Sequence, residues 1–161
     1  MTPRARRATS ADLENALHLL EQAAAAVTLE RGGHVHVQRE FPTPPYADHL
    51  AALLHDPAAC VAVGTVDDVV VGIAIATVET LRDSSSLARL EVLWVEPDAR
   101  EVGLGEELIG LVTEWAEQLG ATCLDAYALP GSRETKNFLE AAGFSARLLV
   151  MHRRLGDRRS R

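Results

Sequence analysis

Between Leu90 and Gly120 the chain passes from an apolar, strand-like run through a proline and two close glycines into a helix with one apolar stripe. Few folds accommodate that order. Leu90 to Val95 is apolar at every position but Glu91, and Pro97 ends the run. Leu104, Leu108, Val112, Trp115 and Leu119 then recur at helical spacing, and Gly120 closes the helix. A strand leading directly into an amphipathic helix demands a sheet with a helix packed on it. Gly103 and Gly105 stand where the helix begins, so the backbone there can bend tightly and approach a ligand closely. The first-turn N–H groups have no partner within the helix, and the helix dipole adds partial positive charge, an environment suited to a pyrophosphate. Arg100 can add a charge-assisted contact. The same residues also fit an ordinary glycine-bearing turn. A nucleoside-triphosphate loop is excluded by the missing G-K-[ST]. A dinucleotide fingerprint is excluded because Leu108 stands where its third glycine would be.

The rest of the chain supplies the sheet and its other helices. Arg6 to Ala8 reads as a short strand, and Thr9 to Asp12 as a capping box before a helix carrying Leu13, Leu17, Leu20, Ala24 and Val27. Gly32-Gly33 ends that helix. His34 to Pro45 reads as irregular, and Tyr46 to His55 as a second helix. Ala59–Thr65 and Val69–Thr77 flank Val66-Asp67-Asp68 as a hairpin, with Leu87–Val95 as the next strand. Thr122–Ala128 is expected to be a short buried strand, Ser132–Ala142 a last helix and Phe144–Arg153 a final strand. The expected order is β-α-α-β-β-β-α-β-α-β, an α+β arrangement around a mixed sheet. With no repeat and no second core pattern, residues 1–155 are read as one domain and 156–161 as a disordered basic tail.

Charge narrows the partners. The net charge of −7 disfavours nucleic acid and anionic membrane surfaces and favours a cationic small molecule or an amine. No apolar run reaches the ~20 residues of a membrane-spanning helix. The basic N-terminus leads into polar residues rather than an apolar signal core, which implies a cytoplasmic protein. Cys60 and Cys123 lie in apolar runs and are expected to be reduced and buried. No Cys or His pair has metal-site spacing, so no metal is expected.

Arg100-x-x-Gly103-x-Gly105 resembles the acyl-CoA pyrophosphate motif of the GNAT superfamily of N-acetyltransferases. The likeness extends to Glu91-x-Leu93-x-Val95-x-Pro97 before it and to Asn137 through Phe144 after it. It is specific from Leu90 to Phe144, whereas His34 to Pro57 matches nothing in the family pattern. The resemblance implies a mostly antiparallel sheet of six or seven strands with helices on both faces. It implies that the strand of Leu93, Trp94 and Val95 splays from Thr122–Ala128, with the pantetheine arm of acetyl-CoA in the gap. The backbone from Glu101 through Val102, Gly103, Leu104 and Gly105 to Glu106 would hold the pyrophosphate, with Arg100. Ser132 would meet the pantetheine arm. Arg133 and Lys136 are the candidates for the 3′-phosphate, or else solvated helix charges.

Three departures from the pattern bear on chemistry. Glu101 and Glu106 put carboxylates beside a phosphate site and must project outward. Ser132 replaces a common asparagine. Leu139 stands where many relatives carry a tyrosine that protonates the departing thiolate; either no dedicated acid acts, with water or the ammonium proton serving, or Tyr127 is the rival acid. By strand alternation Glu91 falls on the side of Leu93 and Val95. In its apolar run it is a candidate base or acceptor-binding group, the alternative being an ion pair with Arg89. His34 and His36 share a strand-like side and read as surface histidines or auxiliary bases. Two functions follow: acetyl transfer from acetyl-CoA to an amine of a small molecule or protein, or a non-catalytic acyl-CoA-binding module with a degenerate site. Association into a homodimer is left open.

Overall fold

Strands that alternate small and large side chains set the layering of this protein, whose computed structural model describes residues 1–156. In Ala59–Val66 (β2) and Val69–Thr80 (β3), Cys60, Ala62, Ala74 and Ala76 point to one face, and Val61, Ile73 and Ile75 to the other. The two strands join through Asp67 and Asp68, both at positive φ (49° and 67°), the backbone that a two-residue hairpin with native twist requires. Pro3–Arg7 (β1) pairs antiparallel with β2, and Ser86–Val95 (β4) antiparallel with β3. Cys123–Ala126 (β5) lies parallel to β4. The described strands form one sheet in the order β1-β2-β3-β4-β5.

Leu104–Gln118 (α4) and Arg133–Ala141 (α5) cover the small-residue face. Its alanines leave room for Leu104, Leu108, Val112 and Trp115 to settle close to the sheet. Leu13–Thr28 (α1) and Tyr46–Leu53 (α3) cover the β-branched face through Leu19, Leu20, Leu50 and Leu53. The capping box of Thr9 and Asp12 forms as expected, and Arg6 adds 2.7 and 2.8 Å bonds to Asp12, holding its carboxyl down at about 2.

Three expectations are corrected. Residues 33–39 are a helix, Gly33–Arg39 (α2), not irregular chain. Its sequence is poor in helix formers, but Gly33 tucks so tightly under the end of α1 that a Cβ there would lie 1.7 Å from the Val27 carbonyl oxygen. That corner and the burial of His36 outweigh propensity. Phe144–Arg153 makes no ladder with β5, so the described sheet has five strands rather than six or seven. The Phe144 side chain, packed on the core, the Phe144 N–H, which donates to the Leu139 carbonyl at 3.0 Å, and an Arg147–Asp125 ion pair tie the segment down. As a consequence β5 is the sheet edge, half-buried, and Cys123 is exposed rather than buried; Cys60 is buried. Of the expected tail at 156–161, residues 157–161 lie outside the described residues.

Candidate functional site

The parallel pairing of β4 with β5 runs from Leu87↔Cys123 only to Leu90↔Ala126. Beyond it β4 continues to Val95 with β3 as its one strand partner among the described residues. The divergence starts at an irregularity in the ladder. Val92 pairs with Ile75 and Leu90 with Ala76, which leaves Glu91 as an extra residue, and such a bulge sharpens local twist. The Glu96 N–H goes to Val71 across β3, so by alternation the backbone groups of Leu93 and Val95 face the gap. A cavity of about 300 Å³ fills this gap and extends to both sheet faces.

One wall of the cavity is built from backbone and packing. A 3₁₀ turn over Pro97–Val102 leads to Gly103, whose φ of 85° starts α4 from the left-handed region that favours glycine. Leu104 is fully buried, so it offers only its backbone outward; Val102 packs partly on the same core. Gly105 lacks a side chain for a second reason, since a Cβ would lie 2.9 Å from the Phe138 ring. Glu101 and Glu106 are exposed, which meets the requirement that their carboxylates project outward. Arg100 turns inward: its Nε donates to the Val95 carbonyl at 2.9 Å and its guanidinium lies 4.7 Å over the Trp94 ring. Trp94 in turn donates from Nε1 to Gln22 on α1 at 3.0 Å. Leu93, Ser132, Phe138 and Leu139 complete this wall. Ser132 donates to the Thr135 hydroxyl at 2.7 Å, and Leu139 is buried in the core. Arg133 is exposed, and Lys136 lies 3.3 Å from Glu140 on its own helix.

The opposite wall is built from side chains of α1, α2 and the segment after β5. Glu30, His36, Phe41 and Tyr127 line it, with Glu91 between the walls. Glu91 does not share a side with Leu93 and Val95. The extra residue resets alternation, and the Glu91 carboxylate turns to the β-branched face. There its Oε1 accepts from the Thr77 hydroxyl at 2.8 Å and from Arg89 at 3.1 Å. The ion pair with Arg89 therefore forms, and the other carboxylate oxygen is left to the cavity. Tyr127 both lines the cavity and packs, its ring edge-on to His36 at 5.3 Å between centroids. His34 and His36 do not share a side. On a helix, residues two apart diverge, and His34 is exposed while His36 is 9% exposed. Burial pushes the His36 imidazole below its usual value, against the opposing pull of Glu40 and Glu30. Glu30, Glu40 and Phe41 were missed in the sequence; the four-residue spacing of His36 and Glu40 brings the two together once the segment is helical.

Residues 17–144 match the model of the Acetyltransferase (GNAT) family. The chain belongs to that family. Solved structures agree on the fold. The acetyltransferase AAC(6')-Iy, in complex with a CoA-linked bisubstrate analogue, superposes with a TM-score of 0.73 at 22% identity, covering 96% of this chain and 99% of that one. An aminoglycoside acetyltransferase from an uncultured soil metagenomic sample, in complex with sisomicin, gives 0.72 at 19% identity, with 97% of each chain covered. Glucosamine-6-phosphate N-acetyltransferase from Arabidopsis thaliana gives 0.69 at 15% identity, covering 96% of this chain and 99% of that one. No curated protein matches at the sequence level. No helix among the described residues is long and apolar enough to cross a membrane.

Proposed function

We propose that the protein transfers the acetyl group of acetyl-CoA to a primary amine of a small, multiply cationic molecule. One observation carries the reading. A single cavity joins the α4 N-terminus, through the unpaired edge of β4, to a wall that holds Glu30, Glu91 and His36. The residues fit CoA. Backbone at Leu93 and Val95 that no strand pairs on the gap side suits the amide-bearing pantetheine arm, and first-turn N–H groups from Glu101 to Glu106 suit a pyrophosphate. Arg100 and Ser132 border the same groove, Glu134 lines it too, and Arg133 and Lys136 at the start of α5 are the candidate cations for a 3′-phosphate. Arg100 reaches the phosphates by leaving the Val95 carbonyl.

The acceptor is read from charge. Carboxylates line its wall and the chain carries −7 overall, so a cation is attracted and an anionic acceptor is not. Aminoglycosides, which the solved relatives act on or bind by name, are the first acceptors to test. Glu91 binds the ammonium group beside the thioester. The amine nitrogen attacks the acetyl carbonyl carbon while the Val95 N–H, directed into the gap, stabilises the developing oxyanion. The C–S bond breaks with its electron pair on sulfur. Tyr127, the one hydroxyl-bearing aromatic in the cavity lining, supplies the thiolate with a proton that Leu139 cannot.

Thiol release from acetyl-CoA across an amine panel, including sisomicin, glucosamine and spermidine, tests the reading. Turnover with cationic acceptors supports it. A second reading, a binding module without catalysis, draws on Leu139 in the core and on Arg100 folded onto Val95. It is the outcome if acetyl-CoA raises the melting temperature while no amine releases thiol.

A further inference from the structure

The acceptor wall contains a titratable side chain to which the mechanism above gives no task. His36 reaches the cavity from α2. Its Nδ1 lies 3.5 Å from Glu40 Oε2, and its ring is wedged edge-on between Tyr127 at 5.3 Å and Phe41 at 6.5 Å. His36 lines the cavity, and among the described residues no side-chain nitrogen or oxygen is both sealed from solvent and unpaired, so neither ring nitrogen is a sealed orphan. A carboxylate beside Nδ1 favours the tautomer with its proton there, leaving a lone pair on Nε2. Arg39, 3.1 Å from Glu40 Oε1, holds the other oxygen of that carboxylate.

Glu91 is less suited to removing a proton. Its Oε1 already takes bonds from Thr77 and Arg89, so that oxygen is occupied. It is built to hold a cation. We propose that His36, aligned by Glu40, is the group that accepts the proton of the acceptor ammonium. The proposal rests on the acetyl-transfer reading. One proton passes from R–NH₃⁺ to the free ring nitrogen of His36, and the freed lone pair makes the C–N bond. The C–S pair goes to sulfur, the second N–H proton balances the one taken by the thiolate, and His36 returns its proton to solvent. The charged and titratable groups around the ring are Glu40 at the end of α2, Glu30 between α1 and α2, Tyr127 after β5, and Glu91 on β4. Burial favours the neutral imidazole, the form that can accept a proton.

The test is the pH profile of kcat/KM for sisomicin and spermidine in the full chain, comparing the parent with H36Q and E40Q. The parent is expected to lose activity only below the ordinary histidine range. H36Q should lower kcat/KM at neutral pH about a hundredfold and abolish that acidic limb, while the KM for acetyl-CoA stays within twofold. In E40Q the limb should move to lower pH, because the anion that raises the imidazole is gone. E40Q also keeps the test decisive if H36Q fails to fold, since Glu40 sits at a helix end, partly exposed. A parent that releases thiol, with both variants keeping its pH profile, overturns the role of His36 and leaves acetyl transfer standing. A parent that releases thiol with no amine overturns both.

Discussion

The two walls of the cavity solve different problems with different materials. The α4–α5 wall presents backbone: an unpaired strand edge and a helix start, held in place by Leu104, Leu108 and Phe138 behind it. The α1–α2 wall presents side chains: carboxylates, an imidazole and aromatic edges. Backbone recognition needs small residues at set spacing, and Glu101 and Glu106 are tolerated there because they are exposed to solvent. Side-chain recognition needs charge at set positions and is indifferent to the local pattern. Volume changes should therefore damage the first wall, and charge or proton-transfer changes the second.

The largest effect is expected at Tyr127. Tyr127→Phe should lower kcat about a hundredfold with acetyl-CoA affinity by calorimetry intact, whereas Leu139→Phe stays within a fewfold of the parent. Equal rates for Tyr127→Phe and the parent would remove the acid from the side-chain wall altogether. Gly105→Val should destabilise the fold by about 1–3 kcal/mol by driving a side chain into the Phe138 ring, and should weaken acetyl-CoA binding as well. Denaturant unfolding and calorimetry on one sample separate the two losses, and parental affinity in a folded variant would break the backbone account of that wall.

The anchor of α1 gives the next effect, in pH. Asp12 is held at about 2 in the folded protein by Arg6 and Thr9, below its unfolded value. Its contribution is complete above pH ~4 and disappears as pH falls toward 2, a loss of about 2 kcal/mol that Asp12→Asn should show at neutral pH. Urea midpoints at pH 7 and pH 3 for both proteins measure it. Glu91→Gln should raise the acceptor KM about tenfold, roughly 1.4 kcal/mol, and leave acetyl-CoA binding alone. An equal rise in both constants would place Glu91 in the scaffold instead. Lys136→Gln removes an exposed pair with Glu140 and should cost at most about 0.5 kcal/mol of stability. A marked loss of acetyl-CoA affinity in that variant would assign Lys136 to the cofactor despite its own-helix partner.

The same contrast explains what was legible beforehand. The strand, glycine turn and helix of the backbone wall carry their constraints locally, as a short apolar run, an apolar stripe and glycines at set distances, so their order and type follow from the residues alone. Helices on both faces follow as well, since β2 and β3 must bury both of their sides. Three features were decided only by packing. The helix at Gly33–Arg39 exists because α1 offers a corner for Gly33 and a pocket for His36, and nothing in its own propensity asks for it. Glu91 changes faces because β4 carries one residue more than β3 opposite it, a register event that strand alternation cannot anticipate. The Phe144–Arg153 stretch reads as a strand because it is apolar, yet a strand also needs a paired neighbour, and β5 makes no ladder with it. Local chemistry determines what each segment can be; which groups meet across the cavity is decided by contacts between residues far apart in the chain, and only the tertiary structure holds those.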